Sequence, residues 1–89
     1  MDLAITFGRV LRDLRKRAGL TQEQLGFEAE LERNFISMLE RGERQPTLTT
    51  LVKLARPLHT KASHMVHLVE SSDDGDSRST VARPPEALG

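Results

Sequence analysis

The amino-acid sequence predicts an all-α fold, and three observations support this prediction. Apolar residues recur at helical spacing, as in Phe7, Leu11, Leu14 and Ala18, so that they share one face of a helix. No segment shows the alternating pattern of β-branched residues that is typical of a strand. The aromatic residues are three Phe, with no Trp or Tyr, so the core must be mostly aliphatic, which suits packed helices.

The length and composition limit what the chain can form. Its 89 residues make at most one small domain, and the absence of cysteine excludes disulfides and thiolate metal sites. An apolar run of about 18 residues and a signal-peptide pattern are both missing, so we expect a cytoplasmic protein with no membrane segment. Residues 1–58 carry ten Lys and Arg against eight Asp and Glu, and residues 59–89 carry three against five. This mild asymmetry permits an anionic partner without requiring one.

The first predicted helix spans residues 3–18, and both of its ends carry recognisable signals. Asp2 is a good N-cap, because its carboxylate accepts hydrogen bonds from free backbone N–H groups. Gly19 suits the left-handed backbone that commonly ends a helix.

Two short helices follow where one longer helix would be possible. Thr21 and Gln24 form a capping box that predicts a helix over residues 22–29. Leu31 does not continue the apolar register of that helix, so we predict a turn at residues 30–32. Another helix is then expected over residues 33–41, with Glu32 in the N-cap position and Gly42 at its end.

The last two predicted helices are separated by a proline. A fourth helix opens at Pro46 or Thr47, and Pro57 should kink or end its last turn. A fifth helix is expected over residues 62–70. The polar, acidic composition from Ser71 onward predicts disorder. We therefore divide the chain into a domain over residues 1–70 and a tail over residues 71–89.

Two short helices joined by a tight turn form a helix-turn-helix. In such a motif the first helix crosses a nucleic-acid backbone and the second presents its N-terminal turn to a groove. Leu31 is expected to point inward and to fix the angle between the two helices.

From Phe7 to Met65 the chain resembles the lambda-repressor-like, or Cro-type (Xre-type), helix-turn-helix regulators. The matching segments are FGRVLRDLR, GLTQEQL and RNFISMLERGERQPTLTTLVKLA, and the run ISMLERGERQP after LTQEQL is specific for this family. The segment ERNFISMLERG is also similar to the controller proteins of restriction–modification systems. The resemblance implies a compact five-helix lambda-repressor-like DNA-binding domain. Glu30 stands where the family usually has glycine.

The resemblance also implies roles for individual residues. Arg33 and Asn34 would face base edges, because Arg pairs with guanine and Asn with adenine through two hydrogen bonds each. Ser37 and Met38 lie one turn later. Met38 would either contact a thymine methyl group or pack against the rest of the protein. The phosphate contacts would come from Gln22, Arg41, Arg44 and Lys53. The alternative for each of the three basic side chains is a solvated surface charge that contacts no phosphate. Arg15 and Glu40 match a family pair that would join the first helix to the third.

These features predict a sequence-specific transcriptional regulator that binds double-stranded DNA as a homodimer, since one recognition helix reads only a few base pairs. Binding should depend steeply on salt. The dimer surface is expected at the end of the fourth helix and on the fifth: Leu58, Met65, Leu68 and Val69. We expect no small-molecule ligand. The alternative is a protein-interaction module of the same shape, of the antitoxin or antagonist type, which the acidic turn would suit.

Enzymatic activity and cofactors are not predicted. The sequence contains no nucleophile–base–acid set, no phosphate-binding loop and no metal motif. His64 and His67 are three positions apart, and Glu70 is the one candidate for a third metal ligand. Because such a ligand set is weak, we interpret the two histidines as exposed helix residues and not as a metal site.

Overall fold

The computed structural model describes the backbone of residues 2–77 and the side chains of residues 2–72. This part of the chain contains five α-helices and no strand, which confirms the all-α prediction. The helices are α1 (Leu3–Arg17), α2 (Gln22–Ala29), α3 (Arg33–Glu40), α4 (Leu48–Ala55) and α5 (Ala62–Ser77). The first three helices begin and end within one residue of their predicted bounds. Among the described residues, no helix is long and apolar enough to cross a membrane.

Side chains cap the starts of three helices. Asp2 accepts hydrogen bonds from the backbone N–H groups of Ala4 at 2.9 Å and Ile5 at 3.3 Å. Thr47, rather than Pro46, occupies the N-cap position of α4, and its hydroxyl accepts from the N–H of Thr50 at 3.1 Å. The capping box before α2 is also present. These caps follow directly from local residue types.

Three helices, and the turn that follows α4, end in the same local closure. The residue after the last turn is left-handed, and the next N–H donates back to a carbonyl five positions earlier, as in a Schellman motif. The donor and acceptor pairs are Leu20 and Arg15, Leu31 and Gly26, Glu43 and Met38, and Thr60 and Ala55. The left-handed residues are Gly19, Glu30, Gly42 and His59. Two of these four positions therefore carry a Cβ in a conformation that glycine adopts more easily.

The regular part of α4 ends at Ala55, before Pro57. Proline has no N–H to donate to the carbonyl four residues earlier. The chain continues as a turn and closes at His59, where φ is 57°. The expectation that Pro57 would end the last turn is confirmed.

The fifth helix is longer than expected. It runs from Ala62 to Ser77, whereas the composition predicted an end at residue 70 and disorder from Ser71. No proline interrupts this stretch, and each added residue of an established helix gains a backbone hydrogen bond. Ser72 also donates its hydroxyl to the carbonyl of Leu68 at 2.9 Å. The fifth helix thus extends seven residues past its expected end, and the rest of the predicted tail lies outside the described residues.

A single core joins the five helices. Six large side chains within it are fully buried: Leu11, Leu25, Ile36, Leu39, Leu54 and Met65. The backbones of α1 and α3 approach closely at Gly8, where a Cβ would lie 2.5 Å from the carbonyl oxygen of Glu40 and 2.6 Å from that of Leu39. The absence of a side chain at position 8 therefore allows α1 to lie directly against the end of α3.

Candidate nucleic-acid interface

The second and third helices form the predicted helix-turn-helix. Thr21 N–H donates to Gln24 Oε1 at 2.9 Å, and Gln24 N–H donates to Thr21 Oγ1 at 3.0 Å. Glu30 has φ 60° and ψ 43°, which reverses the chain within the predicted turn. Leu31 is half-buried and packs against the core, so the expectation that it points inward is confirmed.

Gly26 allows the turn to fold tightly onto α2. A Cβ at this position would come within 2.7 Å of the carbonyl oxygen of Leu31. Such a distance is too short for a carbon and an oxygen that are not bonded. The absence of a side chain therefore brings the start of α3 close to α2.

The leading turn of α3 carries polar side chains that the protein leaves unengaged. Arg33 and Asn34 are both exposed, and within the described chain neither makes a side-chain hydrogen bond or ion pair. Glu32 precedes them as the N-cap residue, and its side chain makes no capping hydrogen bond. This turn therefore presents donors and acceptors to the outside.

The next turn of α3 is more engaged. The Ser37 hydroxyl accepts a short hydrogen bond from Arg41 Nη1, and Met38 is half-buried. Met38 lines a shallow surface concavity together with Asn34 and Arg44. Both predicted contact residues thus lie on the same side of α3 as its leading turn, but the oxygen of Ser37 already has a partner.

The predicted phosphate contacts fall into two groups. Arg44 and Lys53 are exposed, and the described chain offers neither of them a carboxylate partner. Gln22 instead donates its amide Nε2 to Glu40 Oε1 at 3.1 Å. Its side chain is held against the end of α3, in the same concavity as Arg33.

Arg41 is paired within the protein. Its Nε and Nη2 donate to the two carboxylate oxygens of Glu43, at 2.8 Å and 3.1 Å. This hydrogen-bonded pair lowers the pKa of Glu43 and raises that of Arg41. A phosphate that binds Arg41 would have to compete with Glu43. This pairing was not predicted from the sequence, although the two residues are only two positions apart.

Arg15 and Glu40 form an ion pair that joins α1 to α3. Arg15 donates from Nε to Oε2 at 2.6 Å and from Nη2 to Oε1 at 3.0 Å. Its third donor, Nη1, bonds the carbonyl of Leu20 at 2.9 Å. The side chains are 11% and 4% exposed, and the hydrogen bond to Glu40 raises the pKa of Arg15. The pair therefore fixes the end of α3 against α1.

The four residues expected at the dimer surface differ in their positions. Leu58 is 7% exposed and Met65 is fully buried, so both side chains belong to the core of one chain and offer little surface to a partner. Leu68 and Val69 are half-buried. Val66 on the same helix is an exposed apolar residue, at 41% exposure.

The histidines of α5 lie next to each other. The rings of His64 and His67 are stacked, with their centroids 6.1 Å apart. Within the described part of the chain, no group of three or more His, Cys, Asp or Glu side chains is placed to hold a metal ion.

Comparisons with known proteins agree with this architecture. A family model described as helix-turn-helix matches residues 11–64. An uncharacterized HTH-type transcriptional regulator of Sinorhizobium fredii, y4dJ, is 39% identical over 74 residues, which covers 83% of this chain and 92% of the relative. The control protein C.BamHI of Bacillus amyloliquefaciens is 34% identical over 58 residues, or 64% of this chain and 72% of the relative.

A solved structure shows the same fold. The restriction-modification controller protein C.AhdI from Aeromonas hydrophila superimposes with a TM-score of 0.67 at 37% identity, over 70% of this chain and 94% of that one. The resemblance inferred from the sequence is thereby confirmed, and with it the lambda-repressor-like fold and the expectation that the protein is not an enzyme. The chain belongs to the helix-turn-helix family of DNA-binding transcriptional regulators.

Proposed function

We propose that this regulator binds double-stranded DNA as a homodimer, with the first turn of α3 in the major groove. One observation supports this proposal most strongly. Arg33 and Asn34 are exposed at the start of α3, and neither is paired with another group in the described chain. Side chains that fold without an internal partner keep their hydrogen-bonding capacity for a base edge.

The chemistry of these two residues suits base recognition. The Arg33 guanidinium can donate to O6 and N7 of guanine, and the Asn34 amide can pair with N6 and N7 of adenine. Met38 adds an apolar surface that suits a thymine methyl group. The Ser37 hydroxyl accepts from Arg41, and its own proton can still be donated to an acceptor on a base edge.

Phosphate contacts would surround this turn. Arg44 and Lys53 have no carboxylate partner among the described side chains, so each can approach the DNA backbone directly. The backbone N–H groups at the start of α2, next to Gln22, favour a phosphate there. Arg41 is a further contact once it exchanges Glu43 for a phosphate.

The homodimer follows from the amount of sequence that one helix reads. A single α3 contacts only a few base pairs, so a specific site needs two copies about one helical turn of DNA apart. We place the dimer surface on α5, at Leu68 and Val69 with the exposed Val66. We propose that the protein acts in the cytoplasm without a small-molecule ligand.

Selection of bound duplexes from a random pool tests the proposal. We expect a consensus with two-fold symmetry. The double variant Arg33→Ala/Asn34→Ala should bind that consensus at least about 100-fold more weakly, because each paired contact contributes about 1–3 kcal/mol. Its circular dichroism and melting temperature should remain unchanged, because both side chains are exposed. Arg12→Ala, which removes an exposed charge from α1, is the matched control and should keep most of the affinity.

Two results would contradict this function. One is a wild-type protein that selects no sequence. The other is a double variant that binds the consensus as tightly as the wild type. Sedimentation of the complex tests the assembly separately, since the proposal requires two chains on each duplex.

A protein-interaction module of the antitoxin or antagonist type is the second candidate, and Phe27 favours it. This side chain is 85% exposed on α2, four residues after Glu23 and three before Glu30, so an aromatic ring lies on an acidic helix face. Such a surface suits a basic protein partner. If Phe27→Ser abolishes the regulatory effect while DNA binding and folding are retained, this surface carries a second function.

A further inference from the structure

We infer that Glu32 is a specificity-determining residue of this interface, which accepts a hydrogen bond from the exocyclic amine of a base, cytosine N4 or adenine N6. The inference rests on the proposed function, because it requires the first turn of α3 to lie in the major groove. It adds an acidic residue to a site otherwise described by its Arg and Asn side chains.

The position of Glu32 supports this role. It directly precedes Arg33, it is exposed, and it lines the same concavity as Asn34, Met38 and Arg44. A group at the N-cap position lies at the end of the helix that enters the groove. In the proposed complex Glu32 would therefore lie beside the residues proposed for base contacts.

The carboxylate of Glu32 makes no contact with a donor or a basic group in the described part of the chain. An N-cap side chain ordinarily accepts a hydrogen bond from its own helix, but Glu32 makes none. Glu40 and Glu43 are each paired with an arginine, whereas Glu32 has no basic partner among the described side chains. Its oxygen atoms remain available as acceptors.

An unpaired carboxylate in a groove discriminates between bases. It can only accept hydrogen bonds, so the amine of cytosine or adenine satisfies it. The carbonyl oxygens of guanine and thymine present a second acceptor and leave the carboxylate desolvated without a donor. Because every Watson–Crick pair carries one such amine in the major groove, Glu32 would select the orientation of a pair that places the amine on the strand it contacts.

Glu32 and Arg33 have complementary hydrogen-bonding groups. Arg33 offers only donors and Glu32 offers only acceptors. The major-groove edge of a G·C pair carries the O6 and N7 acceptors of guanine next to the N4 amine of cytosine. Two adjacent residues of opposite hydrogen-bonding character can therefore read both strands at the same or neighbouring pairs.

Glu32→Gln tests the inference, since it keeps the size of the side chain and removes its charge. Selection from a random duplex pool should show a cytosine or adenine preference at one pair of each half-site for the wild type. In Glu32→Gln that preference should fall about tenfold or more, with the other positions unchanged. Glu28→Gln is the matched control: it makes the same charge change on an exposed position of α2, outside the concavity, and should leave every preference unchanged.

The outcomes separate this inference from the proposed function. If the wild type selects a site and Glu32→Gln only strengthens binding to all sequences equally, Glu32 acts through general repulsion and the inference is overturned alone. The same conclusion follows if Glu28→Gln alters the same pair. A wild-type protein that selects no sequence would overturn both the proposed function and this inference.

Discussion

Arg15 holds Glu40 by two parallel hydrogen bonds, of 2.6 Å and 3.0 Å, across the contact between α1 and α3. Glu40 Oε1 also accepts from Gln22 of α2. One carboxylate at the end of the recognition helix is therefore bound by both preceding helices. The orientation of α3 depends on this junction as well as on the apolar core.

Removal of Arg15 should destabilise the fold. Arg15→Met leaves Glu40, only 4% exposed, without its cationic partner, and we expect a loss of about 3 kcal/mol. Urea unfolding at constant pH measures the change. The double variant Arg15→Met/Glu40→Met should be more stable than Arg15→Met, because no stranded charge remains. If the double variant is no more stable than the single one, the loss comes from packing and not from the charge.

Gly8→Ala should also be destabilising, although alanine is the better helix former by about 1 kcal/mol. The added Cβ would lie 2.5 Å from the carbonyl oxygen of Glu40, so α1 and α3 must separate. We expect a net loss of about 1–3 kcal/mol, as for other overpacked contacts, measured by thermal unfolding. Arg12→Ala on the exposed face of α1 is the control and should change the melting temperature little. A Gly8→Ala protein as stable as the wild type would show that the contact is looser than described.

Glu30→Gly should stabilise the protein. A left-handed backbone conformation destabilises a residue that has a Cβ by about 1–2 kcal/mol, and substitution by glycine removes this cost. Part of the gain is lost because glycine has greater freedom in the unfolded chain. We expect a net gain of about 0.5–1 kcal/mol in unfolding free energy.

Gly19→Ala is the matched comparison for Glu30→Gly, because Gly19 occupies the same position in the closure of α1. Its φ is +74° and a Cβ there would meet no atom within 4 Å, so the backbone conformation alone decides the result. The Gly19→Ala variant should lose about 1 kcal/mol of unfolding free energy. Stability changes of the same sign in the two variants would contradict this explanation.

The titration of Glu43 should report its pairing with Arg41. The hydrogen bond from Arg41 lowers the pKa of Glu43 in the folded state. Its stabilising contribution is therefore complete above the unfolded-state pKa and is lost as the pH falls through the lower, folded-state value. In Arg41→Ala the Glu43 midpoint, followed by NMR of the side-chain carboxyl carbon, should rise toward the ordinary glutamate value. Arg44→Ala, which removes a neighbouring charge not bonded to Glu43, should shift the midpoint much less.

The sequence predicted the features that depend on near neighbours. Thr21 and Gln24 are three positions apart, and the capping box that they form needs no information from the rest of the chain. Gly19 and Gly42 likewise marked two helix ends through the backbone freedom of one residue type. The turn at residues 30–32 was predicted from the break in apolar register, although Glu30 has no intrinsic preference for the left-handed conformation that it adopts.

The remaining features depend on the folded chain as a whole. Gln22 and Glu40 are 18 positions apart, and only the packing of α2 against α3 brings them together. The apolar character of Met65 does not distinguish the core of one chain from a surface between two, and the structure places it in the core. The length of α5 was underestimated because composition favours disorder, whereas an established helix extends by local hydrogen bonds.

The four chain reversals have a consequence for how quickly the protein folds. The connections between consecutive helices are only three to seven residues long. In each connection a backbone N–H donates to a carbonyl in the last turn of the preceding helix. Little loop entropy is lost when α2 meets α3 and when α4 meets α5, because these helices are consecutive and pack on each other. The contacts of α1 with α3 and α5 join residues much farther apart in the chain, and such contacts form more slowly. We therefore expect the two pairs of consecutive helices to form before α1 completes the core.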